Sequence, residues 1–167
     1  MDVRIENWID HLKEEKPDYQ FGDHVHIIDS AFYMPQLGKY RKIWIYLPKS
    51  YKNSDKKYPV LYMHDGQHLF HATPARNDEW AVDTITDNLI REGADEMIIV
   101  GIDHGEADRL KEYNPYDSKY GEGEGKIYIQ FLVETLRPFI NQQYRTLTDI
   151  GNTSIAGSSL GGLISMF

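Results

Sequence analysis

The chain has 167 residues, 41% of them hydrophobic and 13% aromatic, which predicts a globular domain with a core of its own and excludes a disordered segment. The formal net charge of −8 argues against a nucleic-acid partner, since proteins that bind nucleic acid normally carry a basic stripe. The absence of cysteine excludes disulfides and thiolate metal sites. Because residues 1–6 lack a signal-peptide layout and no apolar run approaches ~20 residues, we expect a cytoplasmic protein without a membrane partner.

The first part of the chain predicts one helix and three strands. Apolar residues within 5–16 recur at helical spacing, so residues 1–20 are expected to form an N-terminal helical extension. Residues 24–30 and 41–47 alternate between apolar and polar side chains, as half-exposed antiparallel strands do. The run 59–63 is almost wholly apolar and predicts a strand covered on both faces.

The rest of the chain alternates between strands and helices. Helical spacing marks residues 80–91, 126–144 and 160–167, short apolar runs mark strands at 97–102 and 153–157, and residues 103–125 read as a long polar loop. Pro138 should bend the second of these helices. Antiparallel strands followed by this alternation predict an α/β domain over residues 21–167, with a mostly parallel central sheet flanked by helices.

A candidate nucleophile follows the last predicted strand. Gly157-Ser158-Ser159-Leu160-Gly161 matches the pattern G-x-S-x-G between a strand and a helix, the context in which it forms a nucleophile elbow. The turn is so sharp that side chains at Gly157 and Gly161 would collide with the strand or the helix. Ser159 is thereby forced into a strained conformation that exposes its hydroxyl.

The helix after Ser159 directs its first amides toward developing negative charge, so the amide of Leu160 is the natural first donor of an oxyanion hole. Ser158 fits the pattern less well, because the residues two positions away from it are Ala156 and Leu160. The plainer alternative is a glycine-rich turn with incidental serines.

Further segments accompany this motif in a fixed order: residues 58–70, 100–103, 136–141, 144–146 and 155–164. Together they resemble the esterase family of the α/β-hydrolase superfamily, which includes enterochelin esterases, feruloyl esterases, S-formylglutathione hydrolases and mycolyltransferases. The resemblance implies an α/β-hydrolase fold and a serine carboxylic-ester hydrolase. Such an enzyme acts on a small-molecule ester through an acyl-enzyme at Ser159 and needs no cofactor.

The resemblance also implies roles for residues outside the elbow. The amide of Gln67, after Asp65 and Gly66, matches the second oxyanion donor of the family, and Gly66 lets the backbone approach the substrate. A tight turn without this role is the alternative. Trp80 falls where relatives place an aromatic residue beside the acyl site, although it could equally anchor its helix in the core.

Three histidines invite a metal hypothesis, because His64, His68 and His71 lie close together in the sequence. A spacing of four places two ligands on one face only within a helix, and Gly66 interrupts this segment after a predicted strand. We therefore expect no metal site.

A serine hydrolase also needs a histidine and a carboxylate, which follow the serine along the chain in this fold. None of the eight residues after Ser159 is acidic or a histidine, so we expect the triad partners and the C-terminal strands to lie beyond Phe167. This chain alone should then be inactive, and strand 153–157 should leave an open sheet edge for a second copy or a complementing fragment. A non-catalytic associating fragment and an acyltransferase using the same serine are the alternatives.

Overall fold

The computed structural model describes residues 24–70, 79–119 and 121–167. The predicted helix at 5–16 and the predicted extension at 1–20 lie outside these residues, as does His71. No helix in the described parts of the chain combines the length and the apolar character needed to cross a membrane.

The regular elements follow the predicted order. The strands are β1 (Val25–Met34), β2 (Lys39–Tyr46), β3 (Val60–His64), β4 (Ile98–Ile102) and β5 (Thr153–Ala156). The α-helices are α1 (Val82–Arg91), α2 (Arg109–Glu112), α3 (Gly125–Phe131), α4 (Arg137–Gln143) and α5 (Leu160–Ser165). A π-helical turn, Leu132–Leu136, joins α3 to α4, and 3₁₀ turns lie at Lys49–Asn53, Gly66–His68, Glu106–Asp108 and Ile150–Asn152.

The five strands form one mixed sheet in the order β1-β2-β4-β3-β5. β2 pairs antiparallel with both β1 and β4, whereas β3 lies parallel to both β4 and β5. This arrangement confirms the predicted α/β class with antiparallel first strands. His64 is opposite Ile102, and Met63 is opposite Ala156, so the carboxyl ends of β3, β4 and β5 lie at the same end of the sheet. The loops after these three strands therefore meet there.

Core residues cover both faces of the sheet. On β2, Ile43 and Ile45 belong to one hydrophobic cluster, while Trp44 and Tyr46 belong to the cluster on the opposite face. The expectation of a half-exposed strand at 41–47 is therefore wrong, because β2 lies inside the sheet and is covered on both sides.

The predicted helix at 126–144 is present as three consecutive segments, α3, the π-helical turn and α4. Pro138 lies in the first turn of α4, one residue after the start of that helix. Proline cannot donate a backbone hydrogen bond, and its ring crowds the carbonyl four residues earlier. That carbonyl belongs to Glu134, inside the π-helical turn, so the widened turn accommodates Pro138.

Helical spacing predicts Trp80, Ile85, Leu89 and Val82 on one inward face of the helix at 80–91, and the structure bears this out only in part. Val82 packs against the core and Thr86 is buried, whereas Ile85 and Leu89 are about half exposed. Trp80, expected in the same helix, precedes it and is 37% exposed.

The region predicted as a polar loop, 103–125, contains the 3₁₀ turn and α2. Glu112 is fully buried at the end of α2, where Arg41 Nη2 and Lys39 Nζ lie 2.7 and 3.2 Å from its Oε1 atom. The polar composition hid this structure, because the charged residues pair with residues of β2 that are distant in sequence.

Candidate functional site

The turn between β5 and α5 holds Ser159 in an unusual conformation. Its φ of 55° and ψ of −121° lie in a region that L-residues rarely adopt, at a cost of about 1–3 kcal/mol. Such strain persists only where the surroundings fix it, and it is concentrated at functional sites. Ser159 is the N-cap of α5 and is exposed, as the elbow hypothesis expects.

The two glycines of the motif bring strand and helix close together. A Cβ atom on Gly157 would lie 2.5 Å from the carbonyl carbon of Gly161, too close for any side chain. A Cβ atom on Gly161 would lie 3.1 Å from the Cβ atom of His64, at the end of β3. The turn thus packs against its own helix and against the neighbouring strand.

Leu160 is the first residue of α5, so its amide has no acceptor within the helix. The next amide, that of Gly161, donates to the carbonyl of Ser158 at 2.8 Å. The amide of Leu160 is thus one of the N-terminal donors of α5 and directly follows Ser159 in the chain.

The second predicted donor, Gln67, lies in the 3₁₀ turn that follows β3. Gly66, before it, is buried against the end of β4, where an added Cβ atom would lie 2.9 Å from the amide nitrogen of Asp103. The side-chain Oε1 of Gln67 accepts a hydrogen bond from the amide of His104 at 3.0 Å. Residues after β4 therefore hold this turn in place.

Asp65 begins the same turn in the left-handed conformation, with φ of 59° and ψ of 46°. Its buried carboxylate accepts two hydrogen bonds from Arg109, at 2.7 Å from Nε and 2.9 Å from Nη2. Its amide donates to the hydroxyl of Tyr113 at 3.4 Å. Arg109 lies over the Tyr113 ring, 5.1 Å from its centroid.

These loops surround an open cleft of about 400 Å³. Its lining residues are Asp65, His68, Trp80, His104, Arg109, Ser158 and Ser159. The structure thus brings the predicted Trp80 and Ser159 to one cleft, while Leu160, Gln67 and Gly66 are chain neighbours of lining residues. The exposure of Trp80 disagrees with the alternative that it anchors its helix in the core.

His64 lies beneath the elbow and is fully buried. Its Nδ1 atom lies 3.0 Å from the Tyr128 hydroxyl, and its ring packs beside those of Tyr113 and Tyr128. Burial lowers its pKa to about 4, so His64 is neutral at physiological pH. His64 is therefore a residue of the core, packed between two tyrosines.

Two other histidines, His68 and His104, lie side by side at the cleft, with ring centroids 5.8 Å apart. Burial lowers the pKa of His104, and its Nδ1 atom accepts a hydrogen bond from the Glu106 amide at 2.9 Å. In its neutral form His104 therefore carries its proton on Nε2. Across the described residues, no group of three or more histidine or acidic side chains could hold a metal ion.

Sequence reasoning did not find the pair of Asp65 and Arg109. The two residues are 44 positions apart, and Arg109 lies in a region read as loop. A signal was present, because opposite charges follow β3 and β4, two apolar runs predicted as buried strands. Parallel neighbouring strands bring the residues that follow them to the same end of the sheet. The sequence alone did not establish which strands are neighbours.

Comparison with known proteins identifies the family of the chain. The model of the Esterase family, described as "Putative esterase", matches residues 35–167. The uncharacterized protein YbbA of Bacillus subtilis is 27% identical over 135 residues, which are 76% of this chain and 50% of that protein. An endo-1,4-beta-xylanase/feruloyl esterase of Xylanibacter ruminicola is 28% identical over 84% of this chain and 19% of that protein.

Among solved structures, a ferulic acid esterase from Anaeromyces mucronatus is 28% identical, with a TM-score of 0.55. The similarity covers 87% of this chain and 56% of that chain. This chain thus spans about half the length of YbbA and of the fungal esterase. The shared fold is that of α/β-hydrolase-type esterases, as the sequence resemblance implied, and the chain belongs to the Esterase family.

Proposed function

We propose that this chain carries the nucleophile and the oxyanion donors of a serine carboxylic-ester hydrolase. The observation that carries the proposal is the strained conformation of Ser159 between Gly157 and Gly161, on a cleft that the turn after β3 also borders. A glycine-rich turn without function has no need of a strained, exposed serine at that position. Family membership and the feruloyl esterase among the relatives favour ester chemistry.

In the proposed reaction, the Oγ atom of Ser159 attacks the ester carbonyl carbon. The amides of Leu160 and Gln67 hydrogen-bond the resulting oxyanion, and each such donor is worth about 2.7–4 kcal/mol in the transition state. The alcohol departs to leave an acyl-enzyme, which water then hydrolyses. The histidine that takes the hydroxyl proton and the carboxylate that orients this histidine are proposed to follow Phe167, in keeping with the chain order of this fold.

Trp80 and Gly66 are the proposed substrate-binding residues. Trp80 offers an apolar wall to the acyl group, in keeping with its position in the cleft. Gly66 lets the turn pack closely against the end of β4, because a Cβ atom there would lie 2.9 Å from the Asp103 amide, and this packing sets where the backbone of Gln67 meets the carbonyl.

The test is active-site labelling with a fluorophosphonate, in a protein that joins this chain to the triad histidine and carboxylate. Ser159→Ala should abolish labelling, whereas the matched control Ser158→Ala should retain it, although both serines line the cleft. Equal labelling of the two variants would exclude Ser159 as the nucleophile.

A second candidate function is association through β5. This strand lies at the edge of the described sheet and pairs with β3 on one side. Ile155 is 37% exposed on it, so the edge offers both backbone hydrogen-bonding groups and apolar surface. The proposed occupant is a further strand from a second copy of the chain.

Light scattering tests this association. The wild-type chain should be dimeric or larger, and Ile155→Lys should be monomeric. A monomeric wild-type chain would exclude association through β5.

A further inference from the structure

We propose that Arg109 is a positioning residue that holds the 65–67 turn so that the Gln67 amide faces the site of the oxyanion. This inference rests on the proposed function. It assigns a role to an ion pair between two loops that lie 44 residues apart in the sequence.

The first argument is the shape of the contact. The Nε and Nη2 atoms of Arg109 each donate to a different carboxylate oxygen of Asp65, at 2.7 and 2.9 Å. A two-point contact of this kind fixes orientation as well as distance, which a single charge does not do. The position and the rotation of the Asp65 side chain are therefore both set by the loop after β4.

The second argument is the conformation of Asp65. It adopts the left-handed region with φ of 59°, which most L-residues avoid unless their surroundings hold them there. Its carboxylate is buried, and a buried charge requires a partner. Without Arg109 the strain would remain and the compensating pair would be lost, so this turn would relax to another conformation.

The third argument is that residues 103–113 hold all three positions of the turn. Arg109 and Tyr113 contact Asp65, the backbone of Asp103 abuts Gly66, and the His104 amide donates to the Gln67 side chain. Arg109 is itself fixed by packing over Tyr113. Of these contacts, the Arg109 pair is the one that a side-chain substitution removes most cleanly.

The consequence concerns the two oxyanion donors. Leu160 belongs to α5 and is placed by the elbow, whereas Gln67 belongs to a different loop. Both donors must point at one oxygen atom, so the fit depends on how firmly the second loop is held. A displacement of Gln67 would weaken binding of the transition state and leave binding of the ground state nearly unchanged.

The test compares Arg109→Gln and Arg109→Lys with the parent enzyme, meaning the chain joined to its triad partners, using a small neutral ester such as p-nitrophenyl acetate. Arg109→Gln should lower kcat by about 100-fold, the effect of losing one oxyanion donor, with KM changed less than about threefold. Arg109→Lys keeps the charge without the two-point contact, so its kcat should lie between that of Arg109→Gln and that of the parent enzyme. The matched control is Lys49→Gln, which breaks an ion pair to Asp87 away from the cleft and should leave kcat unchanged.

A further readout separates this inference from the proposed function. In an inactive Ser159→Ala background, Arg109→Gln should shift the NMR signal of the Gln67 amide, and Lys49→Gln should not. If Ser159→Ala still labels while the signal shifts, the proposed function fails and the coupling of the loops stands. A raised KM with unchanged kcat would instead make Arg109 a substrate contact, and lost stability with unchanged kcat would make the pair purely structural. Either result would overturn the positioning role.

Discussion

Gly157 and Gly161 face each other across the turn so closely that a Cβ atom on Gly157 would lie 2.5 Å from the Gly161 carbonyl carbon and 2.7 Å from its oxygen. The atoms in the way belong to backbone, so no side-chain rotation relieves the clash. The contact allows α5 to start only three residues after β5 ends, with Ser159 at the point of reversal.

Gly157→Ala should therefore lower the free energy of unfolding by about 1–3 kcal/mol, the usual cost of overpacking. Urea denaturation measures the change. Gly151→Ala is the matched control, since its new methyl group would meet only the Asp149 side chain, at 3.3 Å. Equal losses in the two variants would show that the clash at the turn does not form in solution.

The strain at Ser159 predicts a stability difference between two inactive variants. Ser159→Gly places at φ of 55° the one residue that adopts positive φ freely, whereas Ser159→Ala keeps the Cβ atom and the strain. We expect the glycine variant to have the larger free energy of unfolding, by about 1 kcal/mol after the entropy cost of glycine in the unfolded chain is subtracted. It should therefore unfold at a higher urea concentration. If the alanine variant is the more stable of the two, the turn is not strained.

His64 predicts a pH dependence of stability. Burial lowers its folded pKa to about 4, below its ordinary value of 6.5, so the unfolded chain takes up the proton first as the pH falls. The contribution of neutral His64 to the free energy of unfolding is thus fully present above pH 6.5. It is lost as the pH falls toward 4, by at most about 1.4 kcal/mol per pH unit. Urea denaturation at pH 7.5, 6 and 5 should show a shallower pH slope for His64→Gln than for the control His26→Gln, whose residue is exposed. Parallel slopes would rule out the buried neutral state.

The ion pairs around Glu112 predict a large stability loss on substitution. Glu112 is fully buried, Arg41 is 9% exposed, and Lys39 also pairs with Asp108 and Glu124. Glu112→Gln leaves Arg41 as a buried charge without its carboxylate, which costs about 3–5 kcal/mol. Glu96→Gln, which breaks an exposed pair with Lys56, should change thermal unfolding little. A similarly small change for Glu112→Gln would mean that water or another group compensates Arg41.

The local elements could be predicted because their causes lie in neighbouring residues. The apolar run at 59–63 identified β3, and Pro138 marked the distorted turn within its helix. The failures occurred where neighbours in space decided the outcome. β2 was expected to be half exposed, and it is covered on both faces because the sheet places it between β1 and β4. Val82, Ile85 and Leu89 have the spacing of one helix face, yet only Val82 packs against the core and the buried residue beside it is Thr86.

The sequence by itself determined the turn at Ser159, because the glycines, the serine and the strand and helix around them lie within about ten residues and act through local sterics. The tertiary structure alone decided that Arg109 meets Asp65, that His64 is buried between tyrosines, and that Trp80 reaches the cleft. Those contacts depend on the order of strands in the sheet. That order is set by the packing of the whole core, which no local pattern of residues encodes.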